Sequence, residues 1–245
     1  MALTDVVQVP TAKDPLDARV VLVGTPGVGK TTLACGWSPR STLIADTQRG
    51  TELVPGVRHR RDVTTWAEFV GLVDSIASGD RELAGGDRLR TLVIDLVDEL
   101  WDYCDRHHAG KNAVLASATD DWQRSIKTAE GIWRQEIGRL FDTELGIWFL
   151  SHAREKQVDG VQRFVSNLAE RPAAYVFGGC QYVFLAETLG PKRRLHTQPT
   201  ARFEAKSRAI GTPMPEPMDL DARALYAAMH AALNPKPQPR ETKAA

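Results

Sequence analysis

The chain lacks a long apolar run, paired cysteines and a surplus of charge, and each lack removes a class of protein. No stretch approaches the roughly 18 apolar residues of a membrane-spanning helix. The opening segment MALTDVVQVPTAKDPLDA carries acidic residues and two prolines in place of the apolar centre of a secretory leader. Cys35, Cys104 and Cys180 are scattered, with no CxxC pair and no even count to suggest a disulfide framework. A reduced, soluble, cytoplasmic protein is expected, with no membrane partner. Lysine and arginine together number 31, as do aspartate and glutamate. The whole molecule therefore offers no global attraction to nucleic acid or anionic lipid, and any such binding must come from local patches.

What is present suffices for one full core. With 42% hydrophobic residues among 245, the length suits one α/β domain better than two. Residues 1–17 predict a flexible arm, 18–233 the folded core, and 234–245 (NPKPQPRETKAA) a disordered tail. Strands are expected over 19–24, 42–46, 91–95, 147–151 and 181–186, each a nearly continuous apolar run of the kind buried on both faces. Helices are expected over 30–37, 65–78, 96–109, 122–145 and 220–233, the last starting near Asp219 or Asp221. This alternation predicts a mostly parallel central sheet flanked by helices. Late in the chain, RRLHTQ and ARFEAK, separated by Pro199-Thr200, predict an appended β-hairpin.

Strand 19–24 runs straight into Gly24-Thr25-Pro26-Gly27-Val28-Gly29-Lys30-Thr31, followed by Thr32 and a helical pattern. In this phosphate-binding loop the glycines let backbone N–H groups turn inward. The helix start adds partial positive charge, Lys30 reaches the β/γ oxygens and Thr31 ligates Mg²⁺. ATP with Mg²⁺ is the expected ligand. Asp95, ending TLVID, fits the second metal anchor, although a lone strand-end aspartate also serves as a helix cap. Strand 42–46 is expected between 19–24 and 91–95 in the sheet. Leu96 follows Asp95, so the Asp-Glu pair of many ATPases is absent. Glu52 and Glu99 are the alternative water-activating carboxylates, each also readable as a solvated surface group.

Several constellations are weaker. Cys104, His107 and His108 lie close together but lack a fourth partner at any zinc spacing. The six tryptophans read as core or interface. Trp122, in the stretch 110–122 (GKNAVLASATDDW), is a candidate to stack on a base from a second, mobile loop. From 154 to 171 the chain carries Arg154, Lys156, Arg163 and Arg171 around Phe164, mixed with Glu155, Asp159 and Glu170. From 192 to 208, Lys192, Arg193, Arg194, Arg202, Lys206 and Arg208 face one acidic residue, Glu204.

Taken in order, GTPGVGKTT, LIADTQRG, VPGV with TTWAEF, TLVIDLVDEL, FLSHAREK, and TQPTARFEAKSR with EPMDLDARALYAAM resemble the RecA-type recombinase core. They are most similar to the compact, core-only RecA-like annealing proteins of bacteriophages. The resemblance implies an ATPase that binds single-stranded DNA and promotes annealing or recombination as a homo-oligomer, a filament or ring, with a single-strand-binding protein as a further partner. In that family the second strand ends in Asp, one residue, then a catalytic Glu; here the stretch is Asp46-Thr47-Gln48. Gln48 can orient a water but cannot accept its proton, so a weak, DNA-dependent ATPase is expected. The resemblance also makes His152 a sensor of the γ-phosphate and 154–171 a DNA-facing loop. Lys206 and Arg208 become groups that reach a neighbouring subunit's ATP, with binding to the DNA phosphate backbone as their competing use. A P-loop small-molecule kinase and an ATP-dependent helicase loader or scaffold are the alternatives.

Overall fold

The computed structural model describes residues 14–113, 119–208 and 213–235, with side chains described outside 109–125. Residues 1–13 of the expected arm and 236–245 of the expected tail lie outside that range. So do 114–118 and the side chain of Trp122 in the expected loop 110–122, whose described flanks are helical. Residues 14–17 belong to the folded part. Pro15–Asp17 form a 3-10 turn in which Asp14 accepts from the Leu16 amide at 2.9 Å, while Asp14 and Asp17 both pair with Arg90.

The parallel strands are β1 (Arg19–Gly24), β2 (Thr42–Asp46), β3 (His59–Asp62), β4 (Thr91–Asp95), β5 (Gly146–Val158) and β7 (Tyr182–Leu189). Antiparallel to them run β6 (Val161–Ser166), β8 (Lys192–His196) and β9 (Lys206–Ser207), and β10 (Met218–Asp219) runs antiparallel to β8. The main order is β10-β8-β7-β1-β5-β4-β2-β3. A mostly parallel sheet was expected and is found, but β2 does not lie between β1 and β4. The strand between them is β5, which buries Ile147 and Phe149 on one face and Trp148 and Leu150 on the other. A strand carrying large side chains on both faces needs helices above and below it, which places it centrally. Beyond β2 lies β3, whose HRRD sequence suits an exposed edge.

The helices are α1 (Lys30–Gly36), α2 (Trp66–Ala77), α3 (Val97–Ala113), α4 (Thr119–Phe141), α5 (Glu170–Gly179) and α6 (Ala222–Leu233). The period-2 alternation of β1 divides the core in two. Val21 and Val23 face the layer of α2 to α5, where Trp133 lies fully buried, 5.9 Å from Trp66 and 5.5 Å from Trp101 between ring centroids. Val20 and Leu22 face α1 and α6, with Trp148 packed edge-on against Trp37 at 4.6 Å. Helix α2 starts at a capping box of Thr65 and Glu68, and Asp221 caps α6 by accepting from the Ala224 amide at 2.8 Å. No helix among the described residues is long and apolar enough to cross a membrane.

The late hairpin differs from expectation. RRLHTQ pairs with β7 rather than with ARFEAK, across a two-residue turn in which Gly190 adopts φ +57°. ARFEAK instead closes a tight Thr200–Phe203 bridge and sends Lys206–Ser207 to the opposite end of β7. The segment 154–171 is likewise no loop. It continues β5 outward, returns as β6 and enters α5.

Candidate nucleotide site

The site forms where parallel strands end together: Gly24 is in register with His152, and Asp46 with Asp95. Such a carboxyl edge is where open α/β sheets bind ligands. At Gly24 a side chain is impossible, because a Cβ would meet the Ala186 carbonyl oxygen at 2.7 Å. Gly29 holds φ +105°, a left-handed conformation that presents the loop backbone to the pocket. The pocket is about 390 Å³ and is lined by Pro26, Gly27 and Gly29 to Thr32 of the phosphate loop, by Asp46, Gln48 and Asp95, and by His152 and Arg193.

Lys30 is buried, and its ammonium donates to the carbonyls of Gly24 at 2.9 Å and Thr25 at 3.1 Å. Burial lowers its pKa, against the pull of Asp95 and Asp98. Beside it, the Thr31 hydroxyl donates to Asp95 Oδ2 at 2.6 Å. Burial raises the Asp95 pKa, while the Thr31 hydrogen bond and Lys30 oppose that. Asp46 is saturated: it accepts from Thr51 N and Oγ1 at 2.9 and 2.6 Å, Gln48 N at 3.1 Å and Gly50 N at 3.3 Å. Burial would raise its pKa, but these hydrogen bonds win and hold it below the usual aspartate range. Asp46 thus shapes the 47–51 loop and has no free lone pair aimed at chemistry. The same loop is stitched to β4, since the Leu96 amide donates to Thr47 Oγ1 at 2.7 Å and the Thr47 amide to the Asp95 carbonyl at 2.8 Å.

Two groups in this cluster were not singled out from sequence. Asp98, three residues beyond Asp95 in the first turn of α3, is buried beneath His152, whose Nδ1 lies 3.5 Å from Asp98 Oδ2 and whose amide donates to Oδ1 at 3.4 Å. Burial raises the Asp98 pKa; burial and then Lys30 lower that of His152. The i, i+3 spacing from Asp95 was its only signal. Arg193, one of several basic residues in its segment, reaches the pocket from β8.

The donor set fits a polyphosphate: a glycine-bearing loop, a buried ammonium that among the described residues donates only to carbonyls, and a guanidinium at the rim. Thr31 and Asp95 side by side fit Mg²⁺, which takes one or two protein oxygens and completes its shell with phosphate and water. Elsewhere, Cys104 is core, its thiol donating to the Ala129 carbonyl at 3.7 Å and pushed up to about 12 by burial. Among the described residues no three His, Cys, Asp or Glu side chains group to hold a metal.

The remaining basic residues separate. Arg154, Lys156 and Arg163 line a groove of about 380 Å³ between the β5–β6 hairpin and α5, floored by Leu168, Phe177 and Phe203. Arg154 and Lys156 form no ion pair among the described residues, whereas Arg163 pairs with Glu204 at 3.2 Å. Phe164 is covered by Arg202, whose guanidinium carbon sits 4.6 Å from the ring centroid. Arg171 points elsewhere, pairing with Glu130 at 3.2 Å. Lys206 and Arg208 are occupied at the end of α5: Lys206 Nζ donates to the Phe177 carbonyl at 2.6 Å and Arg208 to that of Gly178 at 2.8 Å. Glu52 is exposed and lies 4.0 Å from Arg60.

A family model described as an AAA domain matches residues 16–209. No curated protein matches the chain. Among solved structures, that of the RadB recombinase is similar at a TM-score of 0.47 and 11% identity, over 77% of this chain and 84% of that one.

Proposed function

We propose that the chain, which belongs to the AAA domain family, is an ATP- and Mg²⁺-binding switch that binds single-stranded DNA. It acts as a RecA-like oligomer in annealing or recombination. One observation carries this reading: β5 is a single strand whose inner half places His152 beside the phosphate loop and whose outer half carries Arg154 and Lys156. A shift at His152 therefore displaces the cationic hairpin directly, with no intervening loop to absorb it.

In this reading Lys30 and the loop amides hold the phosphates, while Thr31 and Asp95 hold the metal. When bound, Mg²⁺ neutralises charge on the phosphate oxygens. His152, kept neutral by burial and Lys30, hydrogen-bonds toward the pocket while Asp98 fixes its ring. Gln48 orients a water, and with no carboxylate at that position turnover is slow. Arg154 and Lys156 bind DNA phosphates irrespective of sequence.

The test is fluorescence anisotropy with a labelled single-stranded oligonucleotide, with and without ATP, over a salt series, together with electron microscopy of the complex. Binding that needs ATP, weakens steeply with salt and yields filaments or rings supports the reading. Absence of binding at low salt with ATP present overturns it.

A further inference from the structure

We propose that Arg193 clamps the phosphate tail of the nucleotide bound by its own chain, so that the β7–β8 hairpin acts in cis. The proposal rests on the nucleotide-binding reading above and adds a residue and a direction to it.

Alternation along β8 sets the side chain's course. Leu195 is buried in the core layer of α1 and α6, and Arg193 shares its face, so the guanidinium is directed over the side of the sheet where the phosphate loop lies. On the opposite face, Arg194 is taken up by Asp219 at 2.5 Å. The backbone at Arg193 is held from both sides, by pairing with Thr188 of β7 and by the Leu220 amide, which donates to the Arg193 carbonyl at 3.2 Å. The exposed side chain therefore extends from a fixed base. Its Nη1 lies 3.3 Å from where a Cβ on Gly29 would stand, directly against the loop.

Its guanidinium makes no hydrogen bond or ion pair among the described residues. Lys30 lines the same pocket. Of the carboxylates there, Asp46 is saturated by the 47–51 loop and Asp95 accepts from Thr31. Two cations converging on a glycine loop repel each other until an anion joins them. A guanidinium matches phosphate oxygens in a planar, two-donor geometry that an ammonium cannot supply. The anion class is thus a polyphosphate. Within the hairpin Arg194 is held by Asp219, and beyond it Lys206 and Arg208 are bound to the carbonyls that end α5, so Arg193 is the cation that the hairpin directs at its own loop.

The experiment is a titration of fluorescently labelled ATP against wild type, Arg193→Ala, Arg193→Lys and Lys30→Ala, each checked for a wild-type thermal melt. Arg193→Ala is expected to weaken binding about tenfold or more, the scale of a charge-assisted bidentate hydrogen bond, with Arg193→Lys in between. Arg193→Ala and Lys30→Ala are then mixed in equal amounts. In cis no tight sites return, because no chain has both groups. Recovery of tight binding in the mixture would mean that the arginine serves a neighbour, and wild-type affinity in Arg193→Ala would mean that it serves no nucleotide; either overturns the clamp. If wild type itself binds no ATP, the underlying nucleotide reading has failed instead.

Discussion

The side-chain amide of Gln48 donates from Nε2 to Glu99 Oε1 at 3.1 Å, an interaction between the 47–51 loop and the first turn of α3. The bond orients the amide and leaves its carbonyl oxygen as the free acceptor. Gln48→Glu alone would set a carboxylate within hydrogen-bonding distance of Glu99, and like charges that close hold one of the pair protonated. The paired change Gln48→Glu with Glu99→Gln keeps the hydrogen bond in reverse polarity and leaves an ionised base at position 48. ATP turnover is expected to rise about tenfold or more in the pair and little in the single variant. Equal rates in the two would show that Glu99 does not govern this position.

Asp46 supplies a pH-dependent share of the fold. Its folded pKa lies below the ordinary value of 3.8, so its stabilisation is complete above the unfolded pKa and disappears as pH falls through the folded one. Asp46→Asn should cost about 2 kcal/mol near neutral pH, the scale of hydrogen bonds to a charged group. The difference from wild type should shrink as pH falls below 3.8 and through the lowered folded pKa. Urea denaturation across that range reads both, and a pH-independent difference would contradict the assignment.

Arg154→Ala with Lys156→Ala should weaken single-stranded DNA binding and reduce the salt slope by about 0.7 for each phosphate that is no longer neutralised. Labelled-ATP affinity should be unchanged, because neither side chain lines the nucleotide pocket. An unaltered salt slope would move the DNA path off this hairpin.

Lys206→Ala removes the donor to the last carbonyls of α5. A loss of about 1 kcal/mol is expected, seen as a lowered Tm with nucleotide affinity preserved. Should the Tm stay constant while turnover of the assembled protein drops, Lys206 acts on a neighbouring subunit's nucleotide instead.

The sequence by itself determined the phosphate loop, its flanking strand and helix, and Asp95, because these depend on local requirements: glycine where a Cβ will not fit, an apolar run for a strand covered on both faces, and a polar residue where that strand ends. The boundaries of β1, β2 and β4 followed directly. Tertiary structure alone decided that β5 rather than β2 lies beside β1, since strand order depends on which helices cover which face. It also turned RRLHTQ onto β7, gave Lys206 to α5, and brought Asp98 under His152 and Arg193 to Gly29. Apart from the β7–β8 hairpin, which closes across two residues, those pairings join residues far apart in the chain, and nothing in the local alternation of either partner records where the other will fold.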